Sequence, residues 1–255
     1  MTEPADKSAA EFYDSLSPDY DMMTGFEKRL AQEESTFREL VHQFRISTAI
    51  DAGCGTGLHS CVLARLGVAV TGVDVSGEML RLASARAEEL GLKVRFVAST
   101  FQSMSAIMKT TVDAVFCMGN SLVHLASRRD VLEALRSFYA VLKPEGVLLI
   151  QILNYDRIMS SKARVQSVKQ EEGRIFIRFY DFEEDRIRFN ILTLWRTPQG
   201  FQHHLDSTYL RPMGHAELGD SIAAAGFQNT RTFGSSRMDK FDPGKSVDLF
   251  AVAMK

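Results

Sequence analysis

From residue 26 to residue 153 the apolar positions recur either at helical spacing or in short uninterrupted runs, and beyond residue 165 they alternate with polar ones. The first regime belongs to helices packed on a buried parallel sheet, the second to antiparallel hairpins with one solvated face. A helix is predicted over residues 26–44, with Leu30, Phe37, Leu40, Val41 and Phe44 inward. Strands are predicted at 47–50, 68–73, 93–98, 112–117 and 147–153. Helices fall between them at 58–66, from a Ser76 cap to near Gly91, and over 127–142, the last ended by Lys143-Pro144-Glu145-Gly146. At the amino end, residues 1–7 are polar and expected to fray, and a short helix over 9–16 is expected to halt at Ser17-Pro18. Three hairpin strands follow residue 165: Ile175, Ile177 and Phe179 share one face, then Ile187 to Trp195 after the turn Glu183-Glu184-Asp185, then 201–210 after Pro198-Gln199-Gly200. A helix over 213–225, a strand starting at Gly226-Phe227 and a last strand over 247–254 return to the first pattern. No internal repeat or low-complexity linker interrupts this order, so the hairpins form an insertion in one α/β, doubly wound domain.

The stretch Asp51-Ala52-Gly53-Cys54-Gly55-Thr56-Gly57 joins the first of these strands to the helix after it. Glycines there allow positive φ and close approach of a ligand to the positive end of the helix. Gly53, Gly55 and Gly57 are spaced G-x-G-x-G with Leu58 in the sixth place, unlike the G-x-G-x-x-G of nicotinamide dinucleotide sites. The second strand ends on Asp74, near the offset of about 20 residues at which an acidic side chain takes ribose hydroxyls. A ligand with a free ribose follows.

The seven residues from Asp51 to Gly57, with Asp74, resemble the S-adenosylmethionine site of the class I methyltransferases. The resemblance implies a Rossmann-like, mostly parallel seven-stranded sheet with an antiparallel β cap. It places Asp51 near the cofactor's methionine amino group, the glycines under its methionine and ribose, and Asp74 on the ribose hydroxyls. A cofactor with an ammonium and a sulfonium and no phosphate suits a carboxylate beside the glycine turn. Val75, Met79, Thr100, Phe101 and Met118 are the other expected cofactor neighbours, Met79 standing between an adenine contact and plain core at helical spacing, and Tyr20 either closes the site from the amino-terminal arm or merely staples that arm to the core. Relatives carry a carboxylate soon after the third strand for the adenine amino group. Here Ala98-Ser99-Thr100-Phe101 has none, which leaves that contact to a hydroxyl or to backbone.

Composition narrows the partners. The 255 residues are 45% apolar, enough for one large core, and carry a formal charge of -2 with Lys and Arg spread along the chain. That charge pattern excludes a nucleic-acid footprint. Cys54, Cys61 and Cys117 lack metal-ligand spacing and suit a reducing compartment, so no metal is expected. Neither a signal peptide nor an apolar run of about 18 residues is visible, which points to the cytoplasm and away from membranes.

The acceptor side is read from two further stretches. Gly119-Asn120-Ser121-Leu122-Val123-His124-Leu125, and Asn154-Tyr155-Asp156 after the fifth strand, resemble the glycine and sarcosine N-methyltransferase branch. There the match to Asn120 approaches the acceptor amine, and an arginine precedes Asn-Tyr-Asp to grip a carboxylate. Here that residue is Leu153, so glycine itself is disfavoured. Either another arginine takes the place of the missing one, with Arg157, Arg174, Arg178 and Arg211 as candidates, or the acceptor is less charged; Arg211 is placed with Asn120 and Tyr155 as substrate-binding. Asn120, His124 and Tyr155 are the candidate catalytic residues, His124 standing between a general base and a histidine packed under its loop, and Tyr155 between orienting an acceptor and satisfying a backbone group. The expected division is an amino-terminal helical arm over 1–46 covering the cofactor, a methyltransferase core over 47–156 and 212–255, and a cap over 157–211 beside the acceptor pocket or at a homodimer surface. The activity implied is methyl transfer from S-adenosylmethionine, leaving S-adenosylhomocysteine, to a small-molecule amine. The alternatives are a hydroxyl acceptor, a nicotinamide oxidoreductase, and a non-catalytic binding scaffold.

Overall fold

The structure is a computed structural model that describes residues 7–255, so the expected fraying at residues 1–6 lies outside the described residues. Two helices lead in, α1 (Ala9–Thr24) and α2 (Phe26–Gln43), before β1 (Thr48–Ala52), α3 (Leu58–Arg65), β2 (Ala69–Asp74), α4 (Gly77–Glu89) and β3 (Arg95–Ala98). Next come α5 (Met104–Ile107), β4 (Val112–Cys117), a single 3-10 turn at Ser121–His124, α6 (Arg128–Val141), β5 (Leu142–Leu153) and α7 (Tyr155–Ser161). The insertion is β6 (Val165–Glu171), β7 (Arg174–Phe182), β8 (Ile187–Thr197) and β9 (Gly200–Leu210), and α8 (His215–Ala224), β10 (Gln228–Phe233) and β11 (Asp248–Met254) complete the chain.

The main sheet has seven strands in the order β10-β11-β5-β4-β1-β2-β3, and the insertion forms a separate four-stranded sheet in the order β6-β7-β8-β9. Strands β1 to β5 run parallel, and β11 pairs antiparallel with both β5 and β10. The chain steps outward from β1 in one direction through β2 and β3, then crosses back to β4 on the other side of β1. That reversal opens a crevice at the carboxyl ends of β1 and β4, where ligands gather in open α/β sheets.

Period-two alternation decides which face each strand residue serves. On β4, Val115 packs into the cluster with Leu135 and Phe138 of α6, while Ala114 and Phe116 face Phe37 and Leu40 of α2 and Val62 of α3. A third cluster joins Phe12, Leu16 and Met23 of α1 to Phe176 and Ile191 of the cap sheet. The arm is thus a bridge between cap and core.

Three elements differ from the sequence expectation. Helix α1 runs through Pro18 instead of halting before it. Proline cannot donate to the carbonyl four residues back, Asp14 O, but the Ser17 hydroxyl donates to that oxygen at 2.9 Å and keeps it satisfied. The cap has four strands, because β6 (Val165–Glu171), too polar to stand out, pairs along β7. Residues 143–146 fall inside β5: the ladder partner of Val112 is Leu142 and that of Ala114 is Val147, so the intervening residues loop out, with Glu145 at φ +63°. Among the described residues no helix is long and apolar enough to cross a membrane, and no group of three or more His, Cys, Asp or Glu is placed to hold a metal ion.

Candidate active site

The crevice is shaped first by backbone. Gly53 N and Cys54 N both donate to Val73 O, at 2.7 and 3.1 Å, which ties the turn after β1 to the end of β2. Gly53 has φ +75°, and a Cβ there would lie 2.7 Å from both Cβ and Oγ of Ser121, so only glycine fits. Gly55 has φ +52° and faces no atom that an added Cβ would meet. Its N–H donates to Asp74 Oδ2 at 2.8 Å, and Ser76 N donates to Asp74 Oδ1 at 3.0 Å. The Asp74 carboxylate therefore braces the turn, while each oxygen retains acceptor capacity for a ligand hydroxyl. Burial pushes its carboxyl pKa upward against those backbone donors.

A cavity of about 300 Å³ opens over this turn. Of the residues nominated for the cofactor, Tyr20, Gly53, Gly55, Asp74, Val75, Thr100, Phe101 and Met118 line it. Three do not. Gly57 serves packing instead: at φ +84° its missing Cβ leaves room for Ala83 and Phe96, the former at 3.0 Å from where a Cβ would be. Met79 is buried at 1% exposure on α4 as a core residue. Asp51 is wholly buried beneath the turn, where Oδ2 accepts the Ser60 hydroxyl at 2.6 Å and Oδ1 has no partner. Desolvation raises its pKa.

Arg29 and Gln102 also line the cavity, and neither stands out in the sequence. Arg29 pairs with Glu33 one turn on, at 2.7 Å, a spacing that reads as an ordinary solvated helix pair. Gln102 has no signal beyond its position after β3.

These residues fit S-adenosylmethionine. Glycine backbone at positive φ gives a close cradle, and two buried carboxylates, one with an orphaned oxygen, suit a ligand that offers hydroxyl donors and positive charge. Arg29 supplies a cation on the same wall for a carboxylate.

A second cavity, of about 680 Å³, lies between the main sheet and the cap and shares Tyr13, Tyr20, Arg29, Met118, Gly119 and His124 with the first. Its far wall is built by Leu153, Arg157 and Ile158 after β5 and by Arg178, Tyr180, Phe189 and Ile191 of the cap. At the junction the Tyr13 hydroxyl and His124 Nε2 lie 2.9 Å apart, with the two rings edge to face. His124 Nδ1 is buried without a partner, and burial drives the imidazole pKa down to about 4, so the ring is neutral at pH 7.

The remaining nominated residues separate here. Asn120 lines the second cavity at φ +68°, but its amide is committed: Oδ1 accepts Leu153 N at 2.9 Å and Nδ2 donates to the Tyr155 hydroxyl at 2.9 Å. It brackets the loop after β4 to the end of β5. Tyr155 corrects the expectation, since it is 1% exposed and lines neither cavity; its ring belongs to the core. Arg211 is likewise outside both, paired with Glu217. Of the other arginines, Arg174 is held by Asp19 at 3.2 Å and lies over Trp195, whereas Arg157 and Arg178 face the acceptor cavity.

Helix α1 roofs the junction and is bolted on both sides. Asp21 accepts the Thr56 hydroxyl at 2.6 Å and pairs with Arg86 at 3.1 Å, and Lys7 pairs with the buried Asp206 of the cap at 2.6 Å.

Comparison with known proteins agrees with this geometry. The family model described as a methyltransferase domain matches residues 49–146. The chain is 26% identical over 239 residues to a glycine/sarcosine N-methyltransferase of Parasynechococcus marenigrum, covering 91% of this chain and 81% of that protein. It is 33% identical over 149 residues to the glycine/sarcosine N-methyltransferase of Aphanothece halophytica, covering 58% of this chain and a little over half, 56%, of that relative. A ubiquinone biosynthesis O-methyltransferase of Actinobacillus pleuropneumoniae is 37% identical over 109 residues, 41% of this chain and 45% of that protein. Among solved structures, the CcbJ methyltransferase of Streptomyces caelestis superposes with a TM-score of 0.81 at 20% identity, over 95% of this chain and 96% of that one, a likeness of fold.

Proposed function

We propose that this chain, which is a class I S-adenosylmethionine-dependent methyltransferase, methylates a small-molecule acceptor, and that the accepting atom is an amine nitrogen. The observation that carries the reading is the junction of the two cavities at Tyr13 and His124, where a neutral imidazole held by the Tyr13 hydroxyl lines both ligand spaces. The similarity to glycine/sarcosine N-methyltransferases across 91% of the chain supports nitrogen over oxygen. The O-methyltransferase similarity spans only 41% of the chain.

When bound, the cofactor supplies an electrophilic methyl group on a sulfonium. In this reading the protein's part is positioning and dehydration, because a lone pair held about 3 Å from the methyl needs little further help. Gly53 and Gly55 present backbone to the ligand, Asp74 takes ribose hydroxyls, and Arg29 faces the methionine carboxylate. Asp51, lying deeper, contributes negative potential under the turn. Tyr20 and Tyr13 wall off water from α1. Tyr13 and His124, hydrogen-bonded to each other, form the wall against which the acceptor amine is positioned. An amine sheds its proton to water before it binds, so His124 has no obligatory base role. Asn120 and Tyr155 act by holding the loop that carries Gly119 and His124.

Calorimetric titration with S-adenosylmethionine and S-adenosylhomocysteine tests the cofactor half, with Asp74→Ala and Asp74→Asn compared for binding and for urea stability. Binding by the wild type and its loss in folded variants is the expected result. A folded wild type that binds neither ligand would sink the assignment. Turnover of hydroxyl but not amine acceptors by a binding-competent enzyme would overturn the nitrogen reading.

A further inference from the structure

The acceptor cavity is unusual in its charge. Where the glycine and sarcosine branch is expected to carry an arginine, this chain has Leu153, and that leucine lines the cavity wall. Besides Arg29, which is paired with Glu33, and the exposed Arg237, two arginines line the same space, Arg157 on α7 and Arg178 on β7 of the cap. Both are half-buried. Neither side chain has a hydrogen-bond or ion-pair partner among the described residues, and Arg157 Nε is buried and unsatisfied. Every other arginine of the cap sheet except Arg196 is engaged, Arg174 with Asp19, Arg186 with Glu183 and Arg188 with a partner of its own, and Arg164 just before it pairs with Asp181.

The anions facing the cavity do not neutralise this pair. Glu33 is committed to Arg29 and to His59, at 2.7 and 2.9 Å. Asp248 accepts from the Gln151 amide at 2.8 Å, and it feels Arg157 only as a charge at longer range. Half-buried guanidinium groups without protein partners give up part of their hydration, and an anion with paired oxygens offsets that loss.

Resting on the methyltransferase reading above, we infer that Arg157 and Arg178 form a clamp for an anionic group on the acceptor, a carboxylate or a phosphate ester. The clamp takes over from the missing arginine at position 153, with Arg157 supplied by α7 and Arg178 by the cap. A space of about 680 Å³ is in the range of pockets for ligands of several rings or a comparable chain. The lining mixes apolar side chains, Leu153, Ile158, Phe189 and Ile191, with polar ones such as Gln151 and Ser167, so the part of the acceptor between amine and anion meets both kinds of surface. Guanidinium forks favour paired planar oxygens over a halide, which makes the clamp selective and not merely cationic.

The test uses the full chain saturated with S-adenosylhomocysteine and titrated calorimetrically with succinate, inorganic phosphate and pyrophosphate. Arg157→Gln and Arg178→Gln are measured beside wild type, and Arg174→Gln serves as a control outside both cavities. The expected result is binding of at least one of these anions to wild type, weakened roughly 10-fold or more by either clamp substitution and unchanged by the control. Carboxylate and phosphate sources are distinguished by which probe binds tighter. In turnover, 4-aminobutanoate or 3-aminopropyl phosphate should be methylated in preference to 4-aminobutan-1-ol, with the preference lost in the variants through KM and with kcat retained. Equal anion affinity in wild type and clamp variants, or no anion binding at all by a protein that holds the homocysteine product, overturns the inference. Failure to hold that product would instead count against the cofactor assignment.

Discussion

Replacing Gly53 with alanine perturbs a position in the cofactor turn where conformation and space are both closed. At φ +75° an alanine is in the left-handed region, at a cost of about 1–2 kcal/mol. The new Cβ would also lie 2.7 Å from both Cβ and Oγ of Ser121 and 3.2 Å from Phe101 Cζ. Carbon contacts relax at about 3.5–4.0 Å, so the loop after β4 must shift, and such overpacking adds about 1–3 kcal/mol. The predicted total for Gly53→Ala is about 2–5 kcal/mol. The two parts are separable, because Ser121→Gly deletes both offending atoms and leaves φ untouched. A double-mutant cycle in urea denaturation is the assay, with S-adenosylhomocysteine affinity measured on each folded variant. The steric share should appear as a coupling of about 1–3 kcal/mol, with partial recovery of binding in the double variant. A Gly53→Ala protein within about 0.5 kcal/mol of wild type, or strictly additive substitutions, would refute the claim that Ser121 is what demands glycine there.

Other consequences are smaller in scope. Ser17→Ala uncovers the Asp14 carbonyl opposite Pro18 and should cost about 1 kcal/mol in urea unfolding, whereas Glu39→Ala, at an exposed position on α2, should cost almost nothing. His124 has a folded pKa of about 4, below its ordinary 6.5, so the unfolded chain takes up a proton first and stability falls as the pH drops through that window. Between pH 7 and pH 5 the loss from this one group is about 1–2 kcal/mol, and a His124→Gln protein should show a flatter profile over that interval in pH-dependent denaturation. Arg29→Met should weaken S-adenosylhomocysteine roughly 10-fold in calorimetry and leave 5′-methylthioadenosine, which has no carboxylate, unaffected; equal loss for both ligands would remove Arg29 from carboxylate recognition.

How much of this was legible in the chain depends on the range of the interaction that carries it. The strand-to-helix turn from Asp51 to Gly57 and the acidic residue at Asp74 are local: backbone strain and spacing within one βαβ unit leave a mark on consecutive residues. The same holds for the alternation that marks the hairpins from residue 174 to residue 210. Helix α1 continues past Pro18 against its local signal, because the rescue comes from the neighbouring Ser17 hydroxyl, a side-chain contact that propensity does not register. Position in the sequence assigns Met79 and Gly57 to the cofactor, yet α4 and β3 claim them for packing.

The acceptor side divides along the same line. Asn120, His124 and Tyr155 form a recognisable text, but whether a side chain faces a cavity or the core depends on elements far away in sequence. Tyr155 turns inward and is capped by Asn120, 35 residues earlier, while His124 meets Tyr13 across 111 residues. Arg157, Arg178 and Arg211 look alike in a string of letters. Glu217 occupies one of them, and the fold delivers the other two to the same cavity. The amino-acid order by itself determined the doubly wound fold and the glycine turn, since these rest on local periodicity and on glycine's freedom at positive φ, while the methyl donor was implied by the family resemblance of that turn. Which cations remain unpaired, and what they face, was decided only by tertiary structure, because charge compensation is settled by neighbours in space.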